Sequence, residues 1–281
     1  MKKKKNCCPL LPALLCAALL LTGGCAGKDK KTSAPPPAVP SPPPAAAAAS
    51  SALDGTVWQL EKLRGQTVLP GSQITLYFEQ GAAKGTAGCN SYVGPYLEEA
   101  PGQLHLKQVM LTKQLCQPPE LMEQERRFAE ALKAAAAFTA AGGRLTLKDR
   151  AGGETAVFKA QSQELRGTMW RAVSFSDGLG GMKEALRQGR MLTAVFSADG
   201  QLTGSGGCNS YQARWEAPAA SRRFSFEMIL METKQCPSDV LMEQEGQFMA
   251  AFYTAASFRI EGRTLTLFDA DGSPAVLLSR L

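Results

Sequence analysis

The chain has 281 residues, enough for one large domain or two small ones. Hydrophobic residues make up 44% of it, which is ordinary for a protein with a buried core. The net charge is +6, but Lys2, Lys3, Lys4 and Lys5 precede the first acidic residue, Asp29, so residues 25–281 carry only +2. That balance excludes the concentrated basic surface that phosphate backbones demand, and no nucleic-acid partner is expected.

The amino terminus reads as a targeting segment over residues 1–24. After the four lysines, residues 7–21 form an apolar run of 15, broken by Pro9 and Pro12. A spanning helix needs about 20 apolar residues, so this run has the length of a secretory signal core instead. Thr22, Gly23 and Gly24 then lead to Cys25. A run of small residues ending in Cys resembles a lipobox, the site at which bacterial lipoproteins are cut and acylated, although Leu21 stands four residues before the Cys rather than the commoner three. The expectation is lipid chains on Cys25, which would hold the protein at a bilayer. Ala26 follows, not the Asp that retains lipoproteins at an inner membrane, so an outer-membrane anchor facing the periplasm is expected.

Residues 25–52 read as the lipidated Cys and a tether. Seven of the 24 residues from 28 to 51 are Pro. Such a chain favours extended polyproline II and reaches up to about 70 Å at ~3.1 Å per residue.

The remainder is a tandem repeat. Gly55-Thr56-Val57-Trp58 recurs as Gly167-Thr168-Met169-Trp170, and Gly88-Cys89-Asn90-Ser91-Tyr92 as Gly207-Cys208-Asn209-Ser210-Tyr211. Thr112-Lys113-Gln114-Leu115-Cys116 recurs one residue shorter as Thr233-Lys234-Gln235-Cys236, and Leu121-Met122-Glu123-Gln124-Glu125 recurs identically at 241–245. The offset grows from 112 at the Trp to 119–120 beyond the Cys, which places about seven extra residues of copy two in the 178–189 stretch. A period this long implies two domains, 53–162 and 163–281, rather than a solenoid.

In copy one, alternating segments predict strands at 57–63, 74–79, 84–89, 104–110, 145–148 and 155–159. One helix is expected, entered at Pro118-Pro119 and burying Leu121, Phe128 and Leu132. Copy two repeats that face with Leu241, Phe248 and Phe252, with Ser238 as N-cap. The fold class expected is α+β: two compact β-barrel-like domains, each a curved antiparallel sheet with one covering helix.

Removing the signal and the lipid site leaves four cysteines at matched places, Cys89 with Cys116 and Cys208 with Cys236. In an oxidising compartment such matched pairs argue for one bridge per domain. A four-cysteine zinc site or a redox-active pair is disfavoured because both usually show C-x-x-C spacing, absent here. A free thiol is disfavoured by the compartment.

Gly-Cys-Asn-x-Tyr after a Gly-rich strand, a second Cys about 27 residues on, a Glu-bearing helix and Gly-x-Leu-x-Leu together resemble the META domain, also called the HslJ-like domain. The resemblance covers residues 53–160 and 165–281. It implies compact barrel-like α+β domains of about 100 residues, cysteines paired within each domain, and an envelope lipoprotein. One member is linked to heat-shock induction and antibiotic tolerance. A related fold occurs in lipid-binding pilotins of secretion systems, and no enzymatic activity is established for the family. Copy two departs from copy one at its insertion and at Trp215, where copy one has Tyr96.

No catalytic set is visible, and no metal or cofactor is expected. The single histidine, His105, alternates with Leu104 and Leu106 and is read as a surface residue. No G-x-S-x-G elbow, P-loop or H-E-x-x-H pattern occurs. Glu123 and Glu125, with Glu243 and Glu245, sit at i and i+2 on a helix. They are read as solvated surface, with Glu123 pairing Arg127. The glycines at 85–88 and 204–207 read as strands needing close backbone approach or bulges. Asn90 and Asn209 are assigned a structural role in a turn, Trp58 and Trp170 belong to the structural motif, and Met228 and Met231 are read as core fillers. The expected function is non-enzymatic binding or scaffolding in envelope stress tolerance or surface assembly. The partners would be a membrane, through the lipid anchor, and an envelope protein. The alternative is binding of a lipid or small hydrophobic ligand in a cleft between sheet and helix.

Overall fold

A computed structural model describes residues 52–281 except Gln188, Ala219, Ala220 and Pro237. The expected signal segment 1–24, Cys25 and the tether to residue 51 lie outside the described residues. No described helix is long and apolar enough to cross a membrane.

Copy one comprises β1 (Val57–Leu63), β2 (Gln66–Thr67), β3 (Thr75–Glu79), β4 (Ala82–Thr86), β5 (Ser91–Leu97), β6 (His105–Leu106) and β7 (Met110–Leu111). Then come α1 (Pro119–Ala134), β8 (Ala137–Ala141), β9 (Arg144–Lys148) and β10 (Glu154–Ala160). Copy two repeats the plan: β11 (Thr168–Ser176), β12 (Met182–Glu184), β13 (Thr193–Phe196), β14 (Gln201–Ser205), β15 (Ser210–Glu216), β16 (Ser225–Phe226) and β17 (Leu230–Met231). It ends with α2 (Asp239–Tyr253), β18 (Ser257–Glu261), β19 (Thr264–Phe268) and β20 (Pro274–Arg280).

All strand pairs are antiparallel, in the order β6-β5-β4-β3-β1-β10-β9-β8 and its counterpart β16-β15-β14-β13-β11-β20-β19-β18. The two ends of each sheet then meet. A bridge joins Gln103 to Ala137, flanked by Leu104 N–H to Ala136 O (3.1 Å) and Phe138 N–H to Gly102 O (2.8 Å). In copy two the bridge is Arg223 to Ser257. Each sheet is therefore a nearly closed barrel, which leaves few unpaired strand edges.

A bulge sets the inward pattern of the first strand. Register shifts between Leu60 and Lys62, so Leu60 and Leu63 both point inward although three residues apart. The same shift between Ala172 and Ser174 turns Ala172 and Phe175 inward. The barrel interiors are filled by side chains. Phe128 of α1 meets Tyr92 and Phe158 edge-on at 5.4 and 6.3 Å between centroids. Phe248 of α2 meets Phe175 at 6.0 Å and Phe252 at 5.6 Å.

Four sequence expectations are corrected. The single strand expected at 104–110 is two short ones, because Gln108 takes φ 51° and breaks it. The strand expected at 84–89 ends at Thr86, since Gly88 adopts φ 112° and opens the turn before Asn90. Strands β5 and β8 were not expected. Leu121 and Leu241 are only half-buried, and the helix faces are completed instead by Gln124, Glu125, Gln244 and Glu245. Ser238 does occupy the N-cap position of α2, but its carbonyl rather than its hydroxyl receives the first N–H groups, from Leu241 and Met242.

The described residues form one compact unit. The stretch between the copies runs along β18: Gln163 Oε1 accepts from Ile260 N–H and its Nε2 donates to Ile260 O, both at 2.8 Å. Arg259 of β18 then reaches barrel one. Its guanidinium lies 3.9 Å from the Tyr77 ring centroid, donates to Tyr77 Oη at 3.1 Å and approaches Glu79 Oε1 at 3.5 Å. Arg222 donates to Gly55 O, and Gln73 Oε1 accepts from Arg263 N–H at 3.0 Å.

Candidate functional site

Both copies centre on the same buried node. Cys89 is bridged to Cys116 and Cys208 to Cys236, with Cα separations of 6.3 and 5.7 Å. Each bridge draws the segment before the second Cys against the start of β5 or β15. There the Asn side chain behaves as a peptide unit. Asn90 Oδ1 accepts from Gln114 N–H at 2.8 Å and its Nδ2 donates to Gln114 O at 3.1 Å. Asn209 repeats both bonds with Lys234, at 2.8 and 3.1 Å. Thr112 Oγ1 adds a 2.7 Å bond to Asn90 Oδ1.

A helix carboxylate closes each node. Glu125 accepts from Asn90 N–H and Nδ2, each at 2.8 Å. Glu245 accepts from Cys208 N–H (3.1 Å), Asn209 N–H (2.6 Å) and Asn209 Nδ2 (2.7 Å). Glu125 and Glu245 are 5% and 6% exposed, so reading them as solvated surface is corrected: a buried carboxylate is tolerated because donors are fixed around it. The expected Glu123–Arg127 pair is also corrected. Arg126 makes the ion pairs, to Glu123 at i,i+3 and to Glu130 at i,i+4. Arg126 holds the Glu123 carboxyl below its ordinary value.

Sequence reasoning missed Gln124 and Glu125, yet a signal existed. Leu-Met-Glu-Gln-Glu is identical in both copies, while much of the surface around it diverges. Gln124 Oε1 pins the loop before β3 through Leu69 N–H at 2.8 Å, and its Nε2 donates to Ser72 Oγ at 2.7 Å.

The Gly-Thr-x-Trp motif forms a second repeated device. Trp58 Nε1 donates to Thr56 Oγ1 at 2.7 Å, and that hydroxyl donates to Leu53 O. Trp170, Thr168 and Leu165 repeat the relay, which satisfies the indole N–H of a buried ring. The glycine-rich strands need glycine where a tyrosine crosses. Tyr92 Oη donates to Thr75 O at 2.8 Å and Tyr211 Oη to Thr193 O at 2.6 Å, and a Cβ on Gly85 or Gly204 would overlap those same carbonyls.

These groups are committed to one another rather than to a substrate. Cys208, Cys236 and Glu245 bring donor atoms within 4.8 Å, but both sulfurs are in a disulfide and the carboxylate already holds three N–H groups. His105 is partly exposed, with Nε2 3.9 Å from Glu99 Oε2. Met231 packs on the core of barrel two, but Met228 is 77% exposed and fills no core. Burial drives the hydroxyls of Tyr92 and Tyr211 well above their ordinary value. A cleft of about 550 Å³ separates the outer faces of the barrels, lined among others by Tyr77, Lys84, Thr86, Thr112, Thr266 and Leu277.

Comparison with known proteins agrees with this repeated construction. No curated protein matches the chain. A solved protein from Burkholderia xenovorans is similar at 24% identity over 44% of this chain and all of that one, with a TM-score of 0.34. A DUF4847 family protein from Bacteroides vulgatus is similar at 17% identity over 41% of this chain and 93% of that one, with a TM-score of 0.30. The family model of the META domain matches twice, over residues 51–162 and 163–280, and the chain therefore belongs to the META domain family, as two tandem copies.

Proposed function

We propose that this chain is an envelope lipoprotein, anchored through acylated Cys25, whose two META domains act together as a non-enzymatic binding scaffold. The observation that carries this reading is the filling of both barrels. Phe78, Phe128 and Phe158 in one, and Trp170, Phe175 and Phe248 in the other, are at most 1% exposed. Space between sheet and helix is taken by the protein's own side chains, so recognition falls to the outer faces. The polar groups that recur in both copies serve the fold, which supports scaffolding over turnover. The role proposed for this pair of modules, in stress tolerance or surface assembly, rests on membership of the META domain family.

Two measurements test the reading. Mass analysis of the mature amino terminus from cells should find diacylated or triacylated Cys25; a processed terminus elsewhere removes the anchor. Native mass spectrometry of gently purified protein should find no non-covalently bound lipid beyond the chains attached to Cys25. A stoichiometric bound lipid would favour hydrophobic-ligand binding instead.

A further inference from the structure

Barrel two carries a groove of about 470 Å³ on its outer face, between β11 and the stretches Glu184–Arg187 and Gly189–Leu192. Arg171, Arg187 and Arg190 line it, all exposed. Between them stand Val173, Leu186 and Met191, which are 40%, 38% and 54% exposed. Glu184 also lines the groove. The ion pairs within barrel two are Lys183–Glu243, Lys234–Glu232 and Arg259–Glu261; among the described residues none engages these three arginines. Arg190 acts on Glu232 only at longer range, helping to lower its carboxyl after Lys234 and Ser210 N–H.

The cluster runs against the charge of its own domain. Residues 163–281 hold twelve basic and thirteen acidic residues, yet 165–192 hold five basic and two acidic. Copy one lacks it. Matching the repeats through Thr75 and Thr193, whose hydroxyls accept the amides of Thr86 and Ser205, puts Ser72 opposite Arg190 and Gln73 opposite Met191. Matching through the tryptophans puts Gln59 opposite Arg171. Arg187 belongs to the stretch inserted in copy two.

The exchange of Ser72 for Arg190 has a visible consequence in the core. Gln244 keeps one bond of its counterpart, with Leu186 N–H to Oε1 at 2.6 Å. Its Nε2, in a residue 1% exposed, has no partner among the described residues, whereas Gln124 Nε2 has Ser72 Oγ. Copy two thus forgoes a buried hydrogen bond and gains a guanidinium at the groove, an arrangement that folding alone does not favour.

We propose that this groove docks on an anionic lipid surface, with the arginines on headgroup phosphates and the apolar residues at the acyl boundary. Three separate exposed guanidiniums suit an array of phosphates. A single free anion would call for convergent, buried donors. Basic residues mixed with exposed apolar ones are the composition that binds acidic bilayers. This contact is independent of the lipid on Cys25 and would hold barrel two flat on a membrane.

The test uses residues 28–281, which lack Cys25 but contain both cores and both bridges within the compact unit. Co-sedimentation is measured with vesicles of equal parts phosphatidylglycerol and phosphatidylcholine, and with phosphatidylcholine alone. Binding is expected to the acidic vesicles only and to fail at high salt. Replacing Arg171, Arg187 and Arg190 together by Gln should weaken it about a hundredfold, at roughly fivefold per arginine. Replacing Lys113, Arg150 and Lys159 of barrel one by Gln removes the same charge and should change it by no more than about twofold. Arg190→Ser alone should weaken binding about fivefold while raising the melting temperature, so loss of fold cannot explain the loss. Equal binding to neutral vesicles, an unaffected triple variant, an equal loss in the barrel-one variant, or displacement by millimolar inorganic phosphate would each overturn the proposal.

Discussion

Glu125 holds Asn90 at two points, accepting from its backbone N–H and from its side-chain amide at 2.8 Å each. The carboxylate presents only acceptors, which is what two converging donors require. Glu125→Gln would turn an NH₂ toward one of those donors and leave buried groups unpaired. The expected cost is about 2–4 kcal/mol, at about 1–3 per unsatisfied group. Glu123→Gln, on the exposed side of the same helix turn, should leave the unfolding midpoint nearly unchanged. Urea unfolding of the two variants checks this, and equal midpoints would show that the node bears no particular load.

How much was legible beforehand follows from the same residues. Val57–Leu63, Arg144–Lys148 and Glu154–Ala160 alternate or run apolar, and their strands were readable to within a residue. Strand β5 was not, because Gly94 and Pro95 both argue against a strand. The structure needs that glycine: a Cβ there would sit 3.0 Å from Lys107 O and Val109 Cα. Strand β8 continues the alanines that end the helix, and alanine favours helix. Barrel closure and the docking of Arg259 on Tyr77 are long-range facts with no local pattern. The node was half visible. Matched Cys and Asn positions pointed to it, and helical spacing places Gln124 and Glu125 on the face of Phe128 and Leu132. Their polar character, which argues for solvent, hid them.

The bridges should stabilise both barrels. Each closes a loop with sequence separation of 27 or 28, for which chain entropy predicts about 3–4 kcal/mol. Reduction, or paired Cys→Ser substitution in one copy, should lower that barrel's melting temperature by roughly 10–20 °C. Non-reducing peptide mapping should return Cys89 with Cys116 and Cys208 with Cys236. Melting curves indifferent to reductant would deny the bridges a role in stability.

Arg259 couples the barrels, and Tyr77 reports on the coupling. Burial, the largest influence, raises the Tyr77 hydroxyl from 10.0 to about 12, against the opposing pull of Arg259. The folded protein therefore keeps a proton that the unfolded chain loses near pH 10. Tyr77 gives its full contribution to stability below pH 10, and that contribution falls as pH rises toward 12. Ultraviolet titration of phenolate should find one tyrosine ionising near pH 12 that Tyr77→Phe removes. Arg259→Ala should split a single calorimetric transition into two, because it removes a guanidinium stacked on Tyr77 and paired with Glu79. A variant that still unfolds in one step would place the coupling elsewhere.

The unpartnered Gln244 amide gives the most discriminating prediction for stability. Ser72 shows what copy two lacks: a hydroxyl that receives the buried Nε2 at 2.7 Å. Arg190→Ser puts that hydroxyl at the matching place, with Gly189 keeping the same positive φ of 80° as Gly71 at 79°. Pairing a buried donor that now has no acceptor should stabilise barrel two by about 1–2 kcal/mol. The reverse exchange, Ser72→Arg, should destabilise barrel one by a similar amount, because it strands Gln124 Nε2 in the same way. Thermal and urea unfolding of both variants decide the matter, and the signs must be opposite. If Arg190→Ser is neutral or harmful, Gln244 is already satisfied in solution and the arginine is no concession by the fold.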